Sequence, residues 1–169
     1  MSAPLSAIVT LRDFGPVDRF RLNRWLGQPD VVAWFGSRAA AEAEIALAQS
    51  SPSSLLRIIS VDETPVGYAQ AFDVGMTGAP PHPAVPSGSY EADVFIGSDA
   101  HRGLGYGATA LALLARDVFA TSFALAVTIQ VPVRNEMAVR RIERAGFSWK
   151  AVLHDPLLGP VWIMRVDRT

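Results

Sequence analysis

The stretch that most restricts how this chain can fold is His101-Arg102-Gly103-Leu104-Gly105-Tyr106-Gly107-Ala108, in which glycine recurs at alternate positions. It follows the apolar run Ala92 to Ile96 and opens the apolar-rich segment Thr109 to Ala120, so it reads as strand, glycine loop, helix. Glycines without a Cβ let the chain turn tightly and let amide N–H groups approach an anion. A helix that starts inside the loop adds unpaired N–H donors and the positive end of its dipole. Arg102 adds a fixed positive charge at the loop mouth. Glycines also serve a purely steric turn, so the loop alone leaves turn and phosphate site both open.

Composition narrows the classes. The 169 residues suit a single domain, 1–169, and with half of them hydrophobic and 18% charged they are expected to bury a substantial core. A net charge of −1 argues against a general nucleic-acid binder, which needs a basic face. With no cysteine there is no disulfide framework, thiol nucleophile or thiolate metal site, and three scattered histidines argue against any metal centre. Met1 to Leu11 lacks the basic and apolar regions of a signal peptide, and no apolar run is long enough to span a bilayer. A cytoplasmic protein without membrane contact is expected, as a monomer or homodimer.

Taken in order, Ala7 to Leu11 reads as a strand and Asp18 to Leu26 as a short amphipathic helix presenting Phe20, Leu22, Trp25 and Leu26, broken at Gly27-Gln28-Pro29-Asp30. Val31 to Gly36 is a compact aromatic run in which Trp34 and Phe35 are either core anchors or the wall of a substrate pocket. Ser37 can cap a helix over Ala39 to Ala48. Leu55 to Val61 and Val66 to Phe72 read as a hairpin around Asp62-Glu63-Thr64-Pro65, with Tyr68 and Gln70 on one side. Val74 to Ser89, rich in proline and glycine, is a long loop inserted within the domain.

Tyr90 to Ile96 is the strand before the glycine loop. Its alternation puts Glu91, Asp93 and Phe95 on one face and Tyr90, Ala92, Val94 and Ile96 on the other. Two carboxylates on one face are either the solvated side of a sheet or, facing a cavity, a pair in which repulsion and desolvation raise a pKa toward that of a general base. Leu125 to Val131 reads as a further strand. Asn135 can cap a helix over Glu136 to Ala145 that ends at Gly146, and Phe147 to Leu153 with Val161 to Val166 form a closing strand pair. The pattern is a mixed α/β domain.

Two motifs in this order resemble the GNAT superfamily of N-acetyltransferases: Arg102-Gly103-Leu104-Gly105-Tyr106-Gly107 matches its Arg/Gln-x-x-Gly-x-Gly/Ala loop, and Asn135-Glu136-Met137-Ala138 with Gly146-Phe147 matches its later helix. The resemblance spans essentially the whole chain. It implies an α+β fold with a mostly antiparallel central sheet, splayed at the cofactor site and flanked by helices. It also implies acetyl-CoA as donor co-substrate, its pyrophosphate on the amides of residues 102–108, including Ala108, and its pantetheine arm beside Phe95 and Ile96. Asn135 is then either a helix cap or a cofactor contact.

A narrower similarity, to aminoglycoside 6'-N-acetyltransferases, rests on Trp25-Leu26, Val32-Ala33-Trp34-Phe35-Gly36, Gly67-Tyr68-Ala69-Gln70 and the position of Asp93. It implies antibiotic acetylation with Asp93 favoured over Glu91 as catalytic base. Strand amides near Phe95 or Ile96 would stabilise the oxyanion. Trp34, Phe35, Tyr68, Gln70, Asp73 and Asp155 would line the acceptor site. One departure stands out: the superfamily often has a tyrosine general acid seven positions after the helix asparagine, where this chain has Ile142. Tyr68, Tyr90, Tyr106 or water would have to substitute. The competing readings are acetylation of another amine, such as a siderophore precursor, polyamine, amino-acid derivative or protein N-terminus, and a non-catalytic acyl-CoA-binding module.

Overall fold

Residues 6–169 are described by a computed structural model, in which each hydrophobic period becomes one layer of a sheet covered by helices. The strands are β1 (Val9–Asp13), β2 (Leu55–Val61), β3 (Thr64–Asp73), β4 (Tyr90–Ile96), β5 (Ala126–Pro132), β6 (Ser148–Asp155) and β7 (Gly159–Asp167). The helices are α1 (Arg19–Leu26), α2 (Pro29–Val32), α3 (Arg38–Gln49), α4 (Tyr106–Thr121) and α5 (Glu136–Arg144). The sheet order is β1-β2-β3-β4-β5-β7-β6, antiparallel everywhere except between β4 and β5.

That one parallel junction decides where a site can be. β4 and β5 pair only at Tyr90 with Val127 and Glu91 with Thr128. Beyond these residues the strands part, so from Ala92 onward β4 has a ladder with β3 on one edge and none with β5 on the other. A sheet interior normally pairs its backbone groups on both edges. Here the splay leaves part of β4 open to a cleft.

The alternation read in β4 holds. Tyr90, Ala92 and Val94 enter the core beneath α4, against Ala110, Leu111, Leu114 and Val118, which recur at helical spacing. Phe95 enters a second core on the opposite face with Trp25, Phe35 and Tyr68, whose rings lie 6.4, 5.9 and 5.7 Å from its own. α1 contributes Leu22, Trp25 and Leu26, and α3 contributes Ala41 and Ile45.

Three expectations need correction. Phe20 is 74% exposed, because at about 100° per residue it stands opposite the Leu22–Trp25–Leu26 stripe. Pro29 does not merely break a helix but starts α2 at a position where its missing N–H costs nothing. The hairpin turn is tighter than residues 62–65, with Asp62 and Glu63 at φ of 47° and 68° and strand resuming at Thr64. The 74–89 loop is tied down: Ala84 is buried, and its carbonyl accepts a 3.1 Å hydrogen bond from Arg165 of β7. No helix among the described residues is long and apolar enough to cross a membrane.

Candidate active site

A cleft of about 300 Å³ opens where β4 and β5 part. Val94, Phe95 and Ile96 form one wall, Ile129, Asn135 and Ile142 another, and the glycine loop closes the end. Gly103 and Gly105 have φ of 78° and 90°, and a Cβ on Gly103 would meet nothing within 4 Å. Gly105 is the N-cap of α4 and supplies no side-chain cap, so the first-turn N–H groups keep no side-chain partner. Tyr106, Gly107 and Ala108 also line the cleft, whereas Leu104 is 60% exposed at the loop tip and does not.

Arg102 is placed differently from its sequence reading. Its Nε donates to the Ile96 carbonyl at 3.1 Å, and Nη2 donates to Gln28 Oε1 at 2.6 Å and to the Gly97 carbonyl at 3.2 Å. Nη1 pairs with Asp99 at 2.8 Å and Asp30 at 3.2 Å. The guanidinium borders the cleft but is spent on tying the loop to the α1–α2 junction and the end of β4. Asn135 lines the cleft while its Oδ1 accepts from the Ala138 N–H at 3.3 Å, the N-cap bond of α5.

On the other face of β4 the carboxylates turn inward rather than to solvent. Asp93 is 8% exposed. Gln70, its cross-strand partner, donates from Nε2 to Asp93 Oδ2 at 2.9 Å, and Gln70 Oε1 accepts from the Tyr68 hydroxyl at 2.8 Å. Glu91, one turn of the pleat away, accepts from Gln130 of β5 at 3.4 Å. A third carboxyl, Glu44 of α3, lies close enough to Asp93 for each to shift the other's titration. Burial pushes Asp93 up from the ordinary carboxylate range, against Glu44 and the hydrogen bond from Gln70, which hold it down. Burial and then the Asp93 charge raise Glu91, and the same causes, with smaller contributions from Glu91 and Asp155, raise Glu44. Burial also raises the Tyr68 phenol, so it is a poor proton donor.

Sequence reasoning missed Glu44. The available signal was positional: buried Ala41, Ile45 and Ala48 define the inner stripe of α3. Glu44 flanks that stripe, while Glu42 on its other flank is neutralised by Arg38 at 2.8 Å. Asp155 does approach the cluster, closely enough to act on Glu44, though its Oδ1 also accepts from the Leu157 and Leu158 N–H groups at 2.8 and 2.9 Å. Asp73 does not join it. It pairs with Tyr90, so it belongs to the α4 face of the sheet, and it caps the following turn through Gly75 N–H at 2.8 Å. Trp34 lines the cleft, but Phe35 is core, stacked edge-on to Phe95. Ile142 is buried where the tyrosine acid is often found.

A family model described as an acetyltransferase (GNAT) domain matches residues 17–153. No curated protein matches the chain significantly. Among solved structures, the chain is similar to the aminoglycoside acetyltransferase AAC(6')-Ib in complex with coenzyme A, with 24% identity, TM-score 0.79 and 95% of each chain covered. It is also similar to an aminoglycoside N(6')-acetyltransferase of Legionella pneumophila, with 17% identity, TM-score 0.72, and 98% of this chain and 95% of that one covered. Spermidine N-acetyltransferase of Vibrio cholerae, in complex with CoA and spermine, matches with 15% identity, TM-score 0.72, and 94% and 95% covered. At these identities the solved structures establish a shared fold.

Proposed function

The chain belongs to the GNAT acetyltransferases, an acetyl-CoA-dependent N-acetyltransferase, and we propose that its acceptor is a primary amine of a polycationic small molecule, an aminoglycoside. The observation that carries this reading is the pair Glu91 and Asp93 turned inward on one face of β4, the strand whose next residues line the cofactor cleft, with Glu44 near enough to interact with both and with Asp155. Buried carboxyls without a cation partner are costly, and an acceptor bearing several ammonium groups supplies such partners.

The cleft suits acetyl-CoA. The open glycine loop and the uncapped start of α4 offer N–H donors to the pyrophosphate, and the unpaired β4 edge offers backbone groups to the pantetheine amides. Bound there, acetyl-CoA supplies the electrophilic thioester carbonyl: a C–N bond to the amine forms, the C–S bond breaks, and the CoA thiolate leaves. An ammonium has no lone pair, so Asp93 first takes its proton, held in place by Gln70 and Tyr68. N–H groups of β4 facing the splay stabilise the developing oxyanion. Glu91 and Asp155 hold the acceptor's other ammonium groups, and Trp34 packs on its rings. With Ile142 apolar and Tyr68 locked to Gln70, a water takes the second proton from the amine nitrogen as the amide forms and delivers one to the departing thiolate, so CoA leaves as the thiol.

A polyamine is the second reading, favoured by the same carboxyls and by the spermine-bound relative. Purified protein with acetyl-CoA, offered kanamycin, ribostamycin, spermidine and spermine in parallel, separates the two by the mass of the acetylated product. Acetylation of the polyamines alone would exclude the aminoglycoside, and acetylation of neither would remove the cationic acceptor altogether.

A further inference from the structure

The positive charge for the pyrophosphate does not come from the loop's own arginine. Arg102 meets two carboxylates, Asp30 and Asp99, so this corner of the cleft carries one more negative charge than positive. A diphosphate placed against it would be repelled unless another cation stood at the loop. One does. Arg141 of α5 lines the cleft, and its Nη2 donates to the Gly103 carbonyl at 2.8 Å. Its Nε lies about 4.0 Å from where a Gly105 side chain would begin. Among the described residues it makes no ion pair, whereas its neighbour Arg140 faces Glu136 at 3.7 Å. One of its five N–H donors is used by the loop, which leaves the rest available to an anion seated on the same glycines.

We infer that Arg141, and not Arg102, is the side chain that binds the coenzyme A pyrophosphate, using its bond to Gly103 to hold the guanidinium over the loop. This rests on the reading of the cleft as the acetyl-CoA site. Arg102 then acts as a tie that shapes the loop. A guanidinium at this position also explains why the chain tolerates acidic Asp30 and Asp99 at a phosphate site.

Isothermal titration with CoA, 3'-dephospho-CoA and pantetheine tests the assignment without any acceptor. Wild-type protein should bind all three. Arg141→Met should weaken CoA and dephospho-CoA alike by about 10- to 100-fold, the loss typical of a charge-assisted hydrogen bond, and leave pantetheine, which has no phosphate, unchanged. Arg141→Lys should recover part of the loss. A loss confined to CoA would assign the side chain to the 3'-phosphate and overturn the proposal, as would equal weakening of all three ligands, which is what a loop clamp alone would give. Unchanged CoA affinity in the Met variant overturns the role of Arg141 while leaving the cofactor site standing. Absence of CoA binding by wild type overturns both.

Discussion

Gln70 and Asp93 face each other across the β3–β4 ladder, and the amide of the first donates to the carboxylate of the second at 2.9 Å. The amide cannot turn to offer its oxygen instead, because Oε1 is held by the Tyr68 hydroxyl at 2.8 Å. Gln70 therefore favours ionised Asp93, and so does the neighbouring Glu44 carboxyl, while burial works in the opposite direction. The protonation of the proposed base is set by these two donors against one desolvation cost.

The first prediction follows from that balance. Removing a donor to the charged form raises its pKa, so Gln70→Leu and Glu44→Ala should each move the acid limb of the kcat/KM profile to higher pH by about one unit. Glu44→Gln still has an N–H to offer and should leave the limb near its wild-type position. A pH profile of each variant with a saturating acetyl donor decides the matter. Identical limbs in all four proteins would mean that Asp93 is not the titrating group.

Asp93→Asn is the direct test of the base. It keeps the volume and one acceptor atom but cannot accept the proton, so kcat should fall about 10²- to 10⁴-fold, the usual worth of general-base catalysis. CoA affinity should be unaffected, because the carboxyl lies on the α3 side of β4, away from the glycine loop. Unchanged turnover would reassign the proton to Glu91, Glu44 or water.

The sequence was most readable where one local pattern suffices. The glycine loop, the alternation of Glu91, Asp93 and Phe95, and the Asn135 cap each depend on a few adjacent residues, and each lies as expected. What could not be read depends on distant segments meeting. Nothing in the order of residues says that Arg102 will be neutralised by Asp30, seventy-two positions earlier, or that Arg141 will reach Gly103. On its own helix Glu44 shows only that it flanks the buried stripe, and its role arises when α3 crosses the sheet above Asp93. Phe35 and Trp34, adjacent in sequence, separate into core and cleft because the tight turn that follows α2 points successive side chains in different directions.

Stability at low pH should depend on Asp18. This fully buried carboxylate accepts two 2.8 Å bonds from Arg12, one from Arg21 at 2.8 Å and one from the Gly15 N–H at 3.0 Å. The Arg12 bonds above all hold its pKa down at about 2, below the ordinary 3.8. A depressed carboxyl stabilises the fold above its unfolded pKa, and the contribution is lost as pH falls through the folded value. It amounts to about 2 kcal/mol. Urea unfolding of wild type and Asp18→Asn at pH 7, 4 and 2.5 should show the gap between them narrowing only below pH 4, and a gap constant down to pH 2.5 would exclude this linkage.

Gly97 joins the packing of the aromatic core to the shape of the cofactor loop. A Cβ added there would fall inside the indole of Trp25, and neither side can yield easily. The Gly97 backbone is pinned by its N–H to the Val66 carbonyl at 2.8 Å and by Gln28 Nε2 and Arg102 Nη2 on its own carbonyl at 2.9 and 3.2 Å. Trp25 is 4% exposed and packed against Phe95, so displacing the indole disturbs the second core. Overpacking of this kind costs about 1–3 kcal/mol, a fall in Tm of roughly 3–10 °C for a chain of this size. Because Arg102 anchors the loop through the same carbonyl, Gly97→Ala should also raise KM for acetyl-CoA. Gly15→Ala is the matched control: it has extended backbone at φ −126° and open space at the Cβ position, and should melt with wild type. If Gly97→Ala melts there too, the indole has room to move, and the coupling of core to loop does not exist.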